Sequence, residues 1–270
     1  MAEPAAPIEL HVREAGTGPP VVLLHGAGGS HTVWNAVFPR LANEFRVLAP
    51  DLRGHGRSPD PPGSTYSFEE LAADVLHLLD ERDLPAAHWV GLSGGALLAL
   101  KLTLDATPRT RSLTMISGSA YVDAHTRAVA ERWAEVFAKE GGDAFALRLL
   151  KDLYYPDWVE AHLDVADDLR REVRHRDFGP AVKWSRAMAP FDEKNRIAAI
   201  RVPTLIIQAM DDQVVDASHG RILRQSILHA QIRILANTGH LVPVERPDET
   251  AEAIERLVRA TEEGTPSAPG

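Results

Sequence analysis

Cysteine is absent from this 270-residue chain. That absence excludes disulfide bonds, a thiolate nucleophile and cysteine-ligated metal sites, and it fits a reducing compartment. The sequence also lacks a basic leader followed by an apolar run, and no apolar stretch approaches the ~20 residues that a membrane-spanning helix needs. We therefore expect a cytoplasmic protein that has no membrane partner.

Positive charge is scarce as well. The chain carries 29 Lys and Arg against 38 Asp and Glu, for a formal net charge of −9. Nucleic-acid-binding proteins usually show a basic excess or a basic stripe, so this balance argues against nucleic acid as a partner. What the chain does contain is ordinary for a globular protein with a full core: 44% hydrophobic and 25% charged residues.

Short apolar runs alternate with longer segments of helical spacing. Apolar runs of about four to eight residues are typical of strands buried on both faces of a parallel sheet. The runs are PPVVLLHG (19–26), FRVLAPD (45–51), HWVGLS (88–93), RSLTMISG (111–118), VPTLIIQAM (202–210) and QIRILAN (231–237). Helix start signals follow several of the runs: a Ser67–Glu70 capping box after the second, and Pro247 with two acidic residues after the last. The alternation predicts an α/β fold with a mostly parallel sheet flanked by helices.

One long segment interrupts this alternation between the fourth and fifth runs. Residues 121–190 show the spacing of amphipathic helices and no convincing strand, so we predict a helical cap over one end of the sheet. The core would then comprise residues 8–120 and 191–262, with flexible tails at 1–7 and 263–270. The cap segment (residues 121–190) holds nine of the sixteen aromatic residues: Tyr121, Trp133, Phe137, Phe145, Tyr154, Tyr155, Trp158, Phe178 and Trp184. We expect most of them to form the cap's own core and a subset to line a substrate pocket.

The pentapeptide GLSGG (91–95) joins the predicted strand HWVGL to a predicted apolar helix, GGALLALKLTL. A strand, a sharp turn at serine and an immediate helix are the context of a nucleophile elbow, in which a strained backbone presents the serine hydroxyl. Gly91 and Gly95 leave room where the helix crosses the strand, and the N–H of Gly94 faces negative charge at the helix start. Alone, the motif fits a plain glycine-rich turn equally well; its context predicts that Ser93 is a nucleophile.

Three further segments supply the partners that such a serine needs. HGAGGS (25–30) follows the first long strand and can aim the N–H of Ala27, together with that of Gly94, at an oxyanion. The carboxylates of QAMDDQVVD follow the predicted strand VPTLII. They therefore lie at the carboxyl end of a sheet strand, where α/β proteins build their sites. His240 follows the last strand, and the order Ser, Asp, His is that of α/β-hydrolases. We assign no catalytic role to His25.

Five segments resemble motifs of the α/β-hydrolase superfamily over about residues 8–260: HGAGGS, DLRGHGRS (51–58), GLSGG, DDQVV and GHLVPVERP. The pattern is most similar to the cap-bearing branch of serine hydrolases. That branch contains 3-oxoadipate enol-lactonases, small carboxylesterases, non-haem haloperoxidases (perhydrolases) and meta-cleavage C–C hydrolases. We treat DLRGHGRS as a structural loop without chemistry.

The resemblance implies which carboxylate serves the histidine. Family members commonly place the acid in a Gly-x-x-Asp turn, and Ala209 stands here in the glycine's position, which makes Asp212 the acid. Asp211 is the nearest alternative and Asp216 a more distant one. Some members carry the acid after an earlier strand, where Asp123 would be the reserve.

The implied function is hydrolysis of a small carboxylic ester or lactone through an acyl-enzyme, with no metal or organic cofactor. Ser93 attacks the carbonyl, His240 takes its proton, Asp212 orients the imidazole, and the amides of Ala27 and Gly94 bind the oxyanion. The alternatives are a C–C hydrolase, a cofactor-free perhydrolase, and a ligand receptor that retains the triad.

Two departures from the family pattern bear on these alternatives. Leu92 precedes the serine, where meta-cleavage C–C hydrolases tend to have Asn, and Gly94 replaces the family's usual Met. The serine itself argues against the dehalogenase and epoxide-hydrolase branches, whose nucleophile is aspartate.

The charge of the cap segment predicts the charge of the substrate. Its thirteen acidic and eleven basic residues nearly cancel. A carboxylated lactone would need a cation over the pocket, because burying an unpaired carboxylate is costly. Arg127, Arg132 and Lys183 are candidates, but no spacing singles one out, so we predict a preference for neutral esters.

Overall fold

The structure, a computed structural model, describes residues 6–64, 66–175 and 177–264. Within them, seven strands form one sheet in the order β1-β3-β2-β4-β5-β6-β7. The strands are β1 (Val12–Ala15), β2 (Pro20–Leu24), β3 (Arg46–Pro50), β4 (Ala87–Leu92), β5 (Thr110–Ile116), β6 (Thr204–Ala209) and β7 (Gln231–Leu235). β1 pairs antiparallel with β3, and every other pairing in the sheet is parallel. The predicted α/β fold is confirmed.

Helices connect the parallel strands on both faces of the sheet. In the described part of the chain they are α1 (Phe38–Leu41), α2 (Phe68–Glu81), α3 (Gly94–Asp105), α4 (Ala124–Leu153), α5 (Pro156–Ala161), α6 (Leu163–His175), α7 (Gly179–Met188), α8 (Ser218–Ser226), α9 (Val242–Glu245) and α10 (Pro247–Glu262). Both bonds of the predicted Ser67–Glu70 capping box are present at the start of α2. α10 begins at Pro247 with two acidic residues in its first turn, as the sequence pattern predicts.

The strands bury both of their faces in the middle of the sheet. Along β2, Val21 and Leu23 pack into one hydrophobic cluster with α10, whereas Val22 and Leu24 pack into the cluster on the opposite face with α2 and α3. This alternation follows from the two-residue period of strand side chains. The sheet is therefore covered by helices on both sides, as a parallel sheet requires.

The two edge strands depart from the sequence-based expectation. β1 has only four residues, VREA, which are partly or fully exposed, so it carries no apolar run by which it could be predicted. β7 was expected to be buried on both faces, but all five of its residues are only half-buried. It lies at the end of the sheet, where one flank has no neighbouring strand to cover it.

The interval between β5 and β6 contains the helices α4 to α7. α4 is kinked at Gly141, whose φ of 82° is left-handed. Phe137, Phe145 and Phe178 pack together with ring centroids 4.9–5.3 Å apart, and they form an aromatic core for this layer. The boundaries drawn at 121–190 remain a prediction, and the predicted tails lie largely outside the described residues. No helix in the described ranges is long and apolar enough to cross a membrane.

Candidate active site

Ser93 occupies a strained turn between β4 and α3. Its φ of 55° and ψ of −121° lie outside the regions that a residue with a side chain normally adopts. The turn is anchored by the N–H of Ser93, which donates to the carbonyl of Ile116 at 2.9 Å. A Cβ at Gly91 would lie 2.2 Å from the carbonyl oxygen of Gly95, and a Cβ at Gly95 would lie 2.2 Å from that of Leu24. Both positions must therefore be glycine for α3 to pass so close to the sheet.

The HGAGGS loop lies against this turn. A Cβ placed on Gly26 would be 3.1 Å from Cβ and 3.6 Å from Oγ of Ser93. The backbone nitrogen of Ala27 is 3.4 Å from the position that a Cβ of Gly94 would occupy. The amides of Ala27 and Gly94, which are far apart in sequence, thus flank the same space beside the serine hydroxyl. Backbone N–H groups from two separate segments are the usual donors of an oxyanion hole.

Two histidines brace the loop through its backbone. Nδ1 of His25 donates to the carbonyl of Gly26 at 2.8 Å, and its Nε2 accepts the N–H of Leu52 at 2.9 Å. Nε2 of His55 accepts the N–H of Gly28 at 3.1 Å. Because an amide N–H can only donate, these contacts set the tautomers of both rings. His25 therefore serves the loop's conformation, in keeping with the absence of a predicted catalytic role.

Asp212 and His240 form a buried pair. Nδ1 of His240 lies 2.9 Å from Oδ1 and 2.8 Å from Oδ2 of Asp212. Oδ1 also accepts the N–H groups of Val214 and Val215, at 2.8 and 2.9 Å, which fix the carboxylate in its turn. The pairing of Nδ1 with the carboxylate leaves Nε2 as the basic nitrogen of the ring.

The histidine loop reaches the serine turn through β5. Oγ of Ser117 donates to the carbonyl of His240 at 2.8 Å. Ser117 follows Ile116, the residue whose carbonyl accepts the N–H of Ser93. The backbones of Ser93 and His240 are thus bonded to consecutive residues at the carboxyl end of one strand.

The other three aspartates considered from the sequence have different roles. The N–H of Asp211 donates to the carbonyl of Thr238, and Asp216 accepts the N–H of Ser218 at the start of α8. Asp123 caps α4 by accepting the N–H of Thr126 at 2.7 Å, and its second oxygen lies 3.1 Å from Nε2 of His219. Of the four carboxylates, Asp212 is the one that contacts His240.

Apolar side chains of α7 lie against Gly94 and against the HGAGGS loop (residues 25–30), which is called the oxyanion loop below after its predicted role. A Cβ on Gly94 would be 2.8 Å from Sδ of Met188 and 3.2 Å from Cζ2 of Trp184, while one on Gly28 would be 3.4 Å from Cβ of Ala181. The absence of a side chain at position 94 therefore makes room for cap side chains beside the serine. The aromatic count pointed to Trp184 as one of nine residues, but no sequence signal singled out Met188.

The three basic residues considered as partners for a substrate carboxylate either bind oxygen atoms of the protein or are exposed. Arg127 donates to the carbonyl of Val122 at 2.7 Å, at the base of the cap. Lys183 pairs with Asp60 at 2.9 Å, and Arg132 is exposed on α4.

One cluster of metal-ligand type lies outside this site. Donor atoms of His11, His31 and Asp51 all lie within 4.8 Å of one another. The carboxylate of Asp51 already accepts the N–H groups of His31 and Arg57, and a guanidinium nitrogen of Arg57 is 3.5 Å from Nε2 of His11. Burial raises the pKa of Asp51, but the backbone hydrogen bonds from His31 and Arg57, together with the side-chain hydrogen bond and charge of His31, hold the pKa below its usual value. These contacts tie His11 and His31 to Asp51 and Arg57 of the DLRGHGRS segment.

Comparison with known proteins shows relatives of this chain among the hydrolases. The family model described as α/β hydrolase fold matches residues 19–247. The candidate carbamate hydrolase RutD of Variovorax paradoxus is 30% identical over 97% of this chain and 100% of its own length. The 3-oxoadipate enol-lactonase 1 of Acinetobacter baylyi is 27% identical over 90% of this chain and 89% of its own. The solved enol-lactonase from Burkholderia xenovorans superposes with a TM-score of 0.85 at 28% identity, covering 93% of this chain and 96% of that one.

Proposed function

The chain belongs to the α/β-hydrolase fold family, and on this premise we propose that it is a serine hydrolase cleaving a carboxylic ester or lactone through an acyl-enzyme. The observation that carries the proposal is the strained φ of 55° at Ser93, in a turn whose hydroxyl borders the oxyanion loop. Strain of this size persists only where the surrounding structure enforces it, and it is typical of functional turns. The buried Asp212–His240 pair supplies the base that such a serine requires.

The proposed mechanism follows the roles of these groups. Nε2 of His240 accepts the proton of Ser93 as Oγ attacks the carbonyl carbon, and Asp212 stabilises the imidazolium that forms. The developing oxyanion accepts hydrogen bonds from the N–H groups of Ala27 and Gly94. Collapse of the tetrahedral intermediate expels the alcohol, which takes the proton from His240. In the second half, His240 takes a proton from water, which attacks the carbonyl carbon of the acyl-enzyme. Collapse of this intermediate releases the carboxylic acid, and Oγ of Ser93 takes the proton back from His240.

Relatives support esters and lactones first and carbamates second. The enol-lactonases named above act on a lactone by name, and the RutD relative makes a carbamate a second candidate substrate, since the same nucleophile can attack its carbonyl. A C–C hydrolase, a perhydrolase and a receptor with little turnover remain the alternatives. Leu92, where the C–C branch tends to have Asn, weighs against the first of these.

The test combines covalent labelling with a substrate panel. A fluorophosphonate should label Ser93 alone, and Ser93→Ala should abolish both labelling and turnover while its circular dichroism spectrum and Tm stay at wild-type values. The panel contains neutral esters, lactones, a carbamate, a meta-cleavage diketone, and acetate with peroxide. Labelling at another residue, or turnover by a folded Ser93→Ala variant, would contradict the proposal. Labelling without turnover of any substrate would favour the receptor.

A further inference from the structure

A buried glutamate closes the loop that carries His240. Glu245 is the last residue of α9 and is 4% exposed. Both of its carboxylate oxygens accept the N–H of Gly239, each at 3.1 Å, and Oε1 also accepts the N–H of Tyr155 at 3.2 Å. Gly239 immediately precedes His240, whereas Tyr155 belongs to the cap segment. One carboxylate therefore bonds the loop that carries His240 (residues 239–241, called the base loop below after its proposed role) to the cap segment.

Backbone contacts reinforce this junction on the other side of the histidine. The N–H of Leu241 donates to the carbonyl of Leu153 at 3.1 Å. At Gly239 the two chains approach so closely that a Cβ would lie 2.6 Å from the carbonyl carbon of Tyr154 and 2.7 Å from the nitrogen of Tyr155. The loop at 239–241 thus runs directly along the cap at 153–155. Any displacement of that cap segment acts on the backbone of His240 from both sides.

A carboxylate at this position is costly to keep ionised. Burial raises the pKa of Glu245, and the hydrogen bonds from Gly239 and Tyr155 oppose that rise without cancelling it. The guanidinium of Arg246 donates to the carbonyl oxygens of Glu245 and Asn237 rather than to the carboxylate. The carboxylate supplies acceptors to two backbone N–H groups that an apolar side chain would leave buried and unsatisfied. The group is therefore placed for what it does to the two amides that it binds.

We propose that Glu245 is a positioning residue for His240, which keeps the base aligned with Ser93 only while the cap is seated on the core. The inference rests on the proposed role of His240 as general base. Asp212 fixes the imidazole at Nδ1 and Ser117 fixes the carbonyl, while Glu245 fixes the preceding amide. Because the third support is shared with Tyr155, the orientation of the base depends on the position of the cap.

The experiment compares Glu245→Ala and Glu245→Gln with the control variant Glu255→Gln in the full-length protein. Glu255 is also a buried glutamate, at 5% exposure, but it binds Arg40 on α1, away from the base loop. Glu245→Ala should slow fluorophosphonate labelling and lower kcat for a neutral ester by at least about tenfold, since misplacement by about 1 Å can cost on the order of 10²-fold. KM should change much less than kcat. Glu245→Gln retains one acceptor oxygen and should give a smaller loss, and it decides the test if the Ala variant does not fold.

A second readout is independent of turnover. The proton between Nδ1 of His240 and Asp212 should give a downfield NMR signal, assigned by its loss in His240→Gln. We expect this signal to shift or broaden in the Glu245 variants and to stay in place in Glu255→Gln. A lower Tm with wild-type labelling and an unmoved signal would show a purely structural role and overturn the inference. If the wild type neither labels nor turns over, the proposed function fails, and the NMR comparison still decides whether Glu245 positions His240.

Discussion

Two adjacent aspartates differ in what their side chains contact. The carboxylate of Asp212 is buried and binds His240 and the amides of Val214 and Val215. Asp211 is bonded through its backbone, by an N–H that donates to Thr238 and a carbonyl that accepts from Gln213. A one-residue shift along a turn changes the direction of the side chain completely. The chemical role of each carboxylate therefore follows from the turn and not from residue type.

Asparagine substitutions at these two positions should have very different effects. Asp212→Asn should lower kcat by about 10⁴, as loss of the orienting carboxylate does in the serine-protease triad. Asp211→Asn retains the backbone bonds of the turn and should change kcat by no more than severalfold. The measurement is kcat for a neutral ester, with Tm recorded for both variants. A more damaging Asp211→Asn would place the acid one residue earlier.

At the scale of elements, the helices between β5 and β6 are attached to the loops that carry Asp212 and His240. In the first turn of α4, His125 bonds the carbonyl of Gln213 at 3.0 Å and Thr126 bonds that of Val214 at 3.1 Å. Val129 packs on Val214 one turn later. The turn at 211–215 thus adjoins the beginning of α4, and the loop at 239–241 adjoins its end. Asp123, the reserve acid by sequence, belongs to this attachment through His219.

The apolar surface that α7 presents to the oxyanion loop predicts the charge preference of the enzyme. Ala181, Trp184 and Met188 carry no charge, and the candidate cations Arg127 and Lys183 bind protein oxygens. An unpaired carboxylate of a substrate would be desolvated there without compensation. A neutral butyrate ester should therefore have a higher kcat/KM than the hemisuccinate ester of the same alcohol. Preference for the hemisuccinate would instead support a carboxylated lactone as substrate.

At the scale of the whole molecule, one buried histidine makes stability depend on pH. His88 on β4 is fully buried between Ser112 and Glu262, at 2.8 and 3.2 Å. Burial lowers its pKa from 6.5 to about 4, although Glu262 opposes the shift. The unfolded chain binds a proton at this residue below pH 6.5 and the folded chain does not. The contribution to stability is thus complete above pH 6.5 and is lost as pH falls through about 4.

Replacement of His88 should reduce this acid sensitivity. A shift from 6.5 to about 4 corresponds to about 3 kcal/mol at 1.36 kcal/mol for each pKa unit. Between these pH values the wild type should lose about that much more unfolding free energy than His88→Gln, as measured by urea denaturation. His77→Gln, on the exposed part of α2, is the control and should follow the wild type. Parallel profiles for wild type and His88→Gln would contradict the prediction.

Local sequence was sufficient for six of the seven strands and for the turn at Ser93. The six apolar runs correspond to β2 to β7, because a strand inside a covered sheet needs apolar residues along its length; the half-buried edge strand β7 is the exception. The strand, glycines and apolar helix around Ser93 indicated a strained turn, since close passage of helix and strand needs glycine at neighbouring positions. The four-residue edge strand β1 could not be predicted in this way, because an exposed edge strand needs no apolar run.

Contacts between distant residues depend on the tertiary structure. The residues alone predicted several carboxylates and a histidine at one edge of the sheet, and the family resemblance selected Asp212; the folded turn brings Oδ2 of Asp212 to 2.8 Å from Nδ1 of His240. The approach of Met188 to Gly94 and the bond between Glu245 and Tyr155, 90 residues apart, have no counterpart in local spacing. A hydrophobic pattern encodes which residues are buried, whereas the partner that each buried polar group meets is set by how distant segments of the chain pack together.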